Sequence, residues 1–223
     1  MAGKIKMDEI IKERWHKGSR REERFWRGKL PKIIRDFNFE FQLLPYFKDL
    51  IGDKKEVDIL DVGCGAIATI GSTWPGVKIN LTSADLMTDL YDELWKESGV
   101  KRLLPIEKQD MEHLTYPDNS FDIVHCVNAL DHTINPHFSI LEMVRVCKPG
   151  GYVYLRHMEK VGWVCRYTGL HQWNIQNVEG GDCAFWNRYE RFLLSDYVPG
   201  FVTERRRELP NESKRIISIY KKP

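Results

Sequence analysis

The sequence lacks a long apolar run, a Cys-x-x-Cys pair and any internal repeat. No stretch approaches the roughly 20 apolar residues that a membrane helix needs, so membrane insertion is not expected. Residues 1–17 are interrupted by charge throughout, which is not typical of a secretory signal, and the sequence therefore predicts a cytoplasmic protein. An odd number of cysteines without paired spacing argues against a disulfide framework and against a zinc cluster. The cysteines are Cys64, Cys126, Cys147, Cys165 and Cys183.

The 223 residues favour one domain with an extension over two separate domains. Residues 1–35 hold twelve Lys and Arg against five Asp and Glu, so this segment carries +7 although the whole chain carries only +2. Such a basic segment is typical of a solvated helical surface, and it would also attract an anionic substrate or nucleic acid. Apolar residues recur there at helical spacing, with a new helix expected to begin at Pro31. We therefore assign residues 1–54 to an N-terminal helical extension and residues 55–223 to the main domain.

Beyond residue 55 the pattern alternates between strands and helices, which predicts an α/β domain built on a parallel sheet. The helix after the fourth strand has the clearest boundaries. Asn135 precedes it as a cap, Pro136 takes its first position, and the turn Lys148-Pro-Gly-Gly151 ends it. Two further strands are expected to close the sheet. The predicted strands are 57–62, 77–84, 103–109, 121–127, 151–157, 201–209 and 215–221.

An apolar strand that runs straight into a glycine turn is the most informative segment. Asp61 lies at the end of this strand, and Gly63 and Gly65 form the turn. Glycine adopts positive φ without strain and lets a ligand approach the backbone closely. Asp85 and Asp110 follow the second and third strands, so three polar strand ends are expected to meet at one edge of the sheet. A strand, a glycine turn and the start of a helix after that turn predict a nucleotide-type ligand site at the carboxyl ends of the strands.

The glycine segment resembles the first motif of class I S-adenosylmethionine (SAM) dependent methyltransferases, in which an acidic residue is followed by Gly-x-Gly. The turn Lys148-Pro-Gly-Gly151 resembles the entry to the fifth strand in the same superfamily. The resemblance covers residues 55–158 and implies a Rossmann-like α/β fold: a seven-stranded, mostly parallel sheet with helices on both faces. The sequence departs from the pattern at Ile67, where these enzymes commonly have a third glycine.

The resemblance implies SAM as the cofactor and S-adenosylhomocysteine (SAH) as its product. Asp85 would accept hydrogen bonds from the ribose hydroxyls, while Asp110 and Met111 would contact the adenine. Asp61 would fix the turn or reach the amino group through water. The implied cofactor-binding residues are Asp61, Gly63, Cys64, Gly65, Asp85, Leu86, Asp110, Met111 and Asn128.

Two histidines are candidate bases, because the imidazole pKa of ~6.5 suits proton removal near neutral pH. His132 follows the fourth strand and His171 lies in a later loop, with Asp131 as a residue that could orient one of them. The adjacent pair Asp131 and His132 also fits metal ligation, but the sequence offers no clear third ligand, so no metal site is predicted. Aromatic and amide groups can stack on and hydrogen-bond to a polar acceptor. The candidate substrate-binding residues are Trp173, Asn174 and His157.

The runs Asn128–His132 and Gly169–Asn174 are similar to small bacterial methyltransferases found with surface-glycan biosynthesis. This likeness implies a small-molecule substrate, sugar-containing or phosphorylated, that is methylated on an oxygen. The segment 128–131 lacks the Pro-Pro-aromatic pattern of enzymes that methylate base amines, which disfavours nucleic acid as the partner. Three alternatives stay open: a non-catalytic SAM-binding module, an RNA methyltransferase that uses the basic extension, and a dinucleotide oxidoreductase. The last would carry Ala68 at the third glycine position of its Gly-x-Gly-x-x-Gly pattern.

Overall fold

The structure is a computed structural model that describes residues 2–36, 41–102, 104–208 and 214–223, and in the first helix the side chains of residues 13–34. Across these residues, none of the helices combines the length and apolar character that a membrane span requires. The helices are α1 (Ala2–Asp36), α2 (Phe47–Ile51), α3 (Thr88–Ser98), α4 (Pro136–Val146) and α5 (Val161–Val164). The strands are β1 (Glu56–Val62), β2 (Lys78–Asp85), β3 (Ile106–Lys108), β4 (Phe121–Val127), β5 (Cys147–His157), β6 (Asn174–Val178), β7 (Asp182–Trp186), β8 (Arg191–Leu193), β9 (Val202–Arg206) and β10 (Arg215–Lys221).

Seven strands form one sheet in the order β3-β2-β1-β4-β5-β10-β9. The pairs from β3 to β5 are parallel, whereas β10 runs antiparallel to both β5 and β9. Because the chain reverses direction across the sheet between β1 and β4, the carboxyl ends of these central strands open a crevice at a topological switch point. The predicted α/β fold with a seven-stranded, mostly parallel sheet is confirmed.

Alternating apolar residues of β1 divide the core between the two faces of the sheet. Val57 and Ile59 pack in a cluster with α2, while Leu60 and Val62 pack on the other face with α4. A strand that is buried on both faces carries a nearly continuous apolar run, as this segment does. The polar residue in the run, Asp61, is therefore buried at the very edge where the crevice opens.

No helix follows the glycine turn in the described residues, although a helix start was expected there. Residues 63–77 form an irregular segment, which is held by hydrogen bonds such as that from Leu44 N to Ile70 O. The long helix α1 packs over this segment instead, with Trp26 and Leu30 in one cluster with Ile67 and with apolar residues of α3. Helix α1 therefore covers part of the edge that carries the glycine turn.

The expectation that Pro31 begins a new helix is wrong, because α1 continues through Pro31 to Asp36. Proline inside a helix removes one backbone hydrogen bond and crowds the preceding turn. Here the flanking residues Leu30, Ile33 and Ile34 pack against α3 and the glycine-turn segment. This packing stabilises the helix on both sides of the proline.

The segment between β5 and β9 contains a second sheet that was not predicted. Strands β6, β7 and β8 form an antiparallel sheet whose apolar side chains, among them Phe185, join the core cluster of α4. The predicted strands 103–109 and 201–209 are shorter in the structure, at Ile106–Lys108 and Val202–Arg206. Leu103 and Leu209 lie outside the described residues.

Candidate cofactor and acceptor site

A cleft of about 1010 Å³ lies at the carboxyl ends of the central strands. All nine predicted cofactor residues line it, and so do the three predicted catalytic residues. Helix α1 forms the opposite wall. Its contribution was not predicted as part of the site and consists of Trp15, Gly18, Arg21, Glu22, Phe25, Trp26 and Lys29.

The glycine turn approaches its neighbours more closely than any side chain would allow. Gly63 and Gly65 both have a φ of +71°. A Cβ at Gly63 would lie 2.4 Å from Ala129 Cβ and 2.8 Å from Met111 Cε, and a Cβ at Gly65 would lie 2.4 Å from the Trp26 ring. Gly65 is therefore required for the packing of α1, while Gly63 keeps the floor of the cleft open beside Met111.

Asp85 fixes the turn from the end of β2. Its carboxylate accepts hydrogen bonds from the backbone N–H of Gly65 at 2.9 Å and of Met87 at 2.8 Å. Burial raises the pKa of Asp85, and these two backbone hydrogen bonds oppose that shift. Each carboxylate oxygen has further acceptor capacity, so the same group can also receive hydroxyl donors from a ligand.

Asp61 belongs to a buried polar chain that sequence reasoning missed. His125 Nδ1 lies 2.8 Å from Asp61 Oδ1, and His125 Nε2 lies 3.1 Å from the Tyr46 hydroxyl. His125 is fully buried and stacks on Tyr154. The available signal was a single polar histidine inside the otherwise apolar end of β4, since buried polar groups require partners.

The remaining cofactor candidates complete the floor and one side of the cleft. Asp110 Oδ1 accepts a hydrogen bond from Glu112 N at 2.9 Å, which shapes the loop after β3. Asn128 has a φ of +51°, and its side-chain oxygen accepts a hydrogen bond from Met158 N at 3.1 Å. Burial raises the pKa of Cys64 well above its usual value, which disfavours the thiolate form of this side chain.

Asp131, His132 and His171 form a compact group on the acceptor side of the cleft. His171 Nδ1 lies 2.6 Å from Asp131 Oδ2 and 3.1 Å from His132 Nε2. The hydrogen bond to Asp131 raises the pKa of His171, and burial opposes this shift. Burial alone would raise the pKa of Asp131, but the charge of His132 and the hydrogen bond from His171 lower it. The fold thus brings together the three predicted catalytic residues from two distant segments.

The three predicted substrate-binding residues do not line the cleft. Trp173 is 1% exposed and packs in the core, and the amide of Asn174 bonds Trp163 N, the Tyr167 hydroxyl and Trp186 O. His157 is 2% exposed, and burial lowers its pKa to about 4. All three side chains are buried, which argues against direct contact with a substrate in the cleft.

Comparison with known proteins agrees with this geometry. Residues 60–155 match the model of a methyltransferase domain. A sterol 24-C-methyltransferase of Neurospora crassa is 32% identical over 48% of this chain and 29% of its own length. A thiol S-methyltransferase of Rattus norvegicus is 32% identical over 51% of this chain and 47% of its own length. These matches support the class I SAM-dependent methyltransferase superfamily for residues 60–155.

The chain spans less than half the length of either of these curated relatives. The trans-methyltransferase CalH, solved in complex with SAH, has the same fold, with a TM-score of 0.52 at 12% identity over 80% of this chain and 55% of its own. SAM is the cofactor of this superfamily, and the cleft fits it. Gly63 leaves room that a Cβ would fill, and the carboxylates of Asp61, Asp85 and Asp110 lie at successive strand ends.

Proposed function

We propose that this protein transfers the methyl group of SAM to an oxygen of a small polar acceptor. We take the acceptor to be a sugar, a nucleotide-linked sugar or a related metabolite of surface-glycan biosynthesis. One observation carries the proposal: a single cleft connects the cofactor residues with the Asp131–His132–His171 group. A cofactor and an acceptor can therefore meet in one enclosed space, which is what a direct transfer between them requires.

The cofactor roles follow from the chemistry of each part of SAM. The carboxylate of Asp85 suits the two ribose hydroxyls, and Asp110 with Met111 suits the adenine amino group and ring. Asp61, held by His125, would face the charged amino acid end of the cofactor. When bound, SAM would supply its methyl group within the cleft that Asn128 and the Asp131 group also line.

The wall of the cleft that α1 forms offers charged and aromatic groups to a polar acceptor. Helix α1 presents aromatic rings at Trp15 and Phe25 together with charged groups at Arg21, Glu22 and Lys29. Aromatic faces stack on the apolar faces of a sugar ring, while the charged groups hydrogen-bond to its hydroxyls or to a phosphate. The relatives named above act on a sterol carbon and on a thiol, so the acceptor is inferred from these walls.

The reaction is an in-line displacement at the methyl carbon. An oxygen lone pair of the acceptor forms the new O–CH₃ bond while the C–S bonding pair returns to sulfur, giving SAH. The hydroxyl proton is released, so one positive charge passes from the sulfonium to the released proton. Helix α1 covers one side of the cleft, and the Asp131 group assists loss of the proton.

Calorimetric titration with SAH tests the cofactor site, using Asp85→Asn as the variant. Removing a charge-assisted acceptor costs about 1.5–3 kcal/mol, so we expect SAH to bind about 10- to 100-fold more weakly. The matched control is Asp89→Asn, since Asp89 is exposed on α3 and pairs with Lys108 outside the cleft. NAD is titrated in parallel. The cofactor assignment would be refuted if folded wild-type protein did not bind SAH, or if it bound NAD instead.

The acceptor class is tested by incubation with methyl-labelled SAM. We expect label in a pool of sugar nucleotides and glycan precursors, and none in total RNA. Label in RNA alone would refute the acceptor assignment while leaving the cofactor site intact.

A further inference from the structure

Three ligand-type atoms converge on one point at the acceptor side of the cleft. They are Asp131 Oδ2, His132 Nε2 and His171 Nδ1. His171 Nδ1 lies 2.6 Å from Asp131 Oδ2 and 3.1 Å from His132 Nε2, and His132 Nε2 lies 3.5 Å from Asp131 Oδ2. They form a group with the spacing of metal ligands. The sequence showed only the adjacent pair Asp131 and His132, and the third member comes from a loop 39 residues beyond His132.

Only one of the three pairs of atoms can form a good hydrogen bond. A proton on His171 Nδ1 is donated to Asp131 Oδ2 at 2.6 Å. His171 Nδ1 then has no lone pair left to accept a hydrogen bond from His132, and the distance of 3.5 Å from His132 Nε2 to Asp131 Oδ2 is too long for a good one. One proton cannot serve three converging acceptor atoms, whereas one cation can.

The distances fit a metal ion bound by all three atoms. A point about 1 Å out of the plane of the three atoms lies about 2.1 Å from each, which is the usual metal–nitrogen and metal–oxygen distance for zinc-like ions. Two imidazoles and one carboxylate on one face of an ion leave its other positions open. These positions face the cleft, because all three residues line it.

The backbone holds this group in place before any ligand binds. The carbonyl oxygen of Asp131 accepts hydrogen bonds from Gln172 N at 2.9 Å and Trp173 N at 3.3 Å. The Trp173 side chain is buried in the core, and Gln172 Nε2 donates to Tyr167 O and Gly169 O at 3.0 Å each. The loop that carries His171 is thereby fixed directly against Asp131.

We propose that Asp131, His132 and His171 bind a divalent transition-metal ion. Its role rests on the methyl transfer proposed above: the ion binds the acceptor hydroxyl and lowers the pKa of that hydroxyl. The hydroxyl proton passes to solvent water, the oxygen lone pair forms the O–CH₃ bond, and the C–S pair returns to sulfur. The ion is neither oxidised nor reduced.

Direct metal binding by the full chain, free of tags and stripped by a chelator, tests the proposal. Co²⁺ is titrated with detection of its visible absorption, and Zn²⁺ by calorimetry. We expect one ion per chain. His132→Ala and His171→Ala each remove a ligand, so each should weaken binding by more than the roughly 10- to 100-fold typical of losing an outer-shell partner. His16→Ala is the control, because His16 is exposed on α1 away from the cleft, and it should bind as wild type does.

SAH binding, measured on the same samples, reports folding and keeps the two proposals apart. Wild-type protein that binds SAH but neither Co²⁺ nor Zn²⁺ would overturn the metal site. Metal binding that persists unchanged in both cleft histidine variants would overturn it as well. Metal binding without SAH binding would support the site and overturn its role in methyl transfer.

Discussion

Gly63 and Gly65 share one backbone conformation but serve different neighbours. Gly65 meets the Trp26 ring of α1, whereas Gly63 meets Ala129 and Met111 at the floor of the cleft. A motif that reads as a single glycine turn thus contains one position for helix packing and one for the ligand. Substitutions at the two positions should therefore have different effects on cofactor binding.

Gly63→Ala should weaken both folding and SAH binding. Any L-residue at positive φ costs roughly 1–2 kcal/mol, and the contact of a new Cβ with Ala129 and Met111 adds about 1–3 kcal/mol of overpacking. Gly76→Ala is the matched control, since Gly76 has a φ of +72° and nothing within 4 Å of a Cβ. Urea unfolding and SAH calorimetry on both variants measure the difference. If both variants lost the same unfolding free energy and the same SAH affinity, the close contact of Gly63 with Ala129 and Met111 would not explain the effect.

Asp61, Asp85 and Asp131 show how burial and partners set the role of a carboxylate. Asp85 is held by two backbone N–H groups, Asp61 by His125, and Asp131 by His171. Each of these side chains is fixed before a ligand arrives, so little conformational entropy remains to be lost on binding. The site is in this sense pre-organised by the ends of β1, β2 and β4.

Helix α1 packs over the irregular segment that follows the glycine turn. It places Trp26 against Gly65 and Tyr91, and its charged and aromatic side chains line the cleft. The helix therefore contributes both to the hydrophobic core and to the wall of the cleft. The division into residues 1–54 and 55–223 remains a prediction, but α1 forms a wall of the cleft that lies in the second segment.

Trp26→Ala should loosen α1 and reduce SAH affinity. Trp26 is 8% exposed, and loss of a buried tryptophan costs about 3–5 kcal/mol. Phe25→Ala is the comparison, because Phe25 is the next residue on the helix and is 52% exposed, so its loss should cost less than about 1 kcal/mol. Thermal unfolding with and without SAH separates the two variants. If Trp26→Ala were as stable as Phe25→Ala, α1 would not be part of the core.

The two ends of the central sheet have different tasks in the molecule. The carboxyl ends form the cleft, and the amino ends of β1, β4 and β5 are joined by an ion cluster. In this cluster Lys148 Nζ lies 2.5 Å from Asp58 and 2.9 Å from Asp122, and Lys54 Nζ lies 2.5 Å from Asp122. A substitution in the ion cluster therefore lies at the opposite end of the sheet from the cleft.

The ion cluster makes the free energy of unfolding depend on pH in the acidic range. The hydrogen bond from Lys148 lowers the pKa of Asp58 in the folded protein, so its contribution is present above the unfolded pKa of ~3.9 and is lost as the pH falls below it. Lys148→Met should reduce the free energy of unfolding at pH 7 by about 1 kcal/mol, because the pair is partly exposed. The difference in the free energy of unfolding between variant and wild type should decrease to zero from about pH 5 to pH 2.

Urea unfolding across that pH range measures this gap. Lys78→Met is the control, since Lys78 pairs with Glu56 on the open surface at the same end of the sheet and should change stability little. A gap that stayed constant down to pH 2 would contradict the role of Asp58. SAH affinity at pH 7 should be unaffected in both variants, because the cluster lies away from the cleft.

Local pattern was sufficient for the parallel sheet and for its polar strand ends. Asp61 and Asp85 lie at the ends of strand-like runs, and Asp110 follows the third predicted strand. Because the carboxyl ends of parallel strands share one edge, the meeting of these residues follows from chain order. The helix from Pro136 was equally well marked by its own residues. These features depend on neighbours within a few positions, which is why they can be predicted without the fold.

The structure alone decided which side chains of distant segments face the cleft. Trp173, Asn174 and His157 were expected to contact the substrate, but the fold buries all three side chains. His171 lies against Asp131, and the neighbouring Gln172 and Trp173 donate backbone hydrogen bonds to the Asp131 carbonyl. Burial and convergence of this kind arise from contacts between segments far apart in the chain. The spacing of residues along one segment does not encode them, and only the packed molecule fixes them.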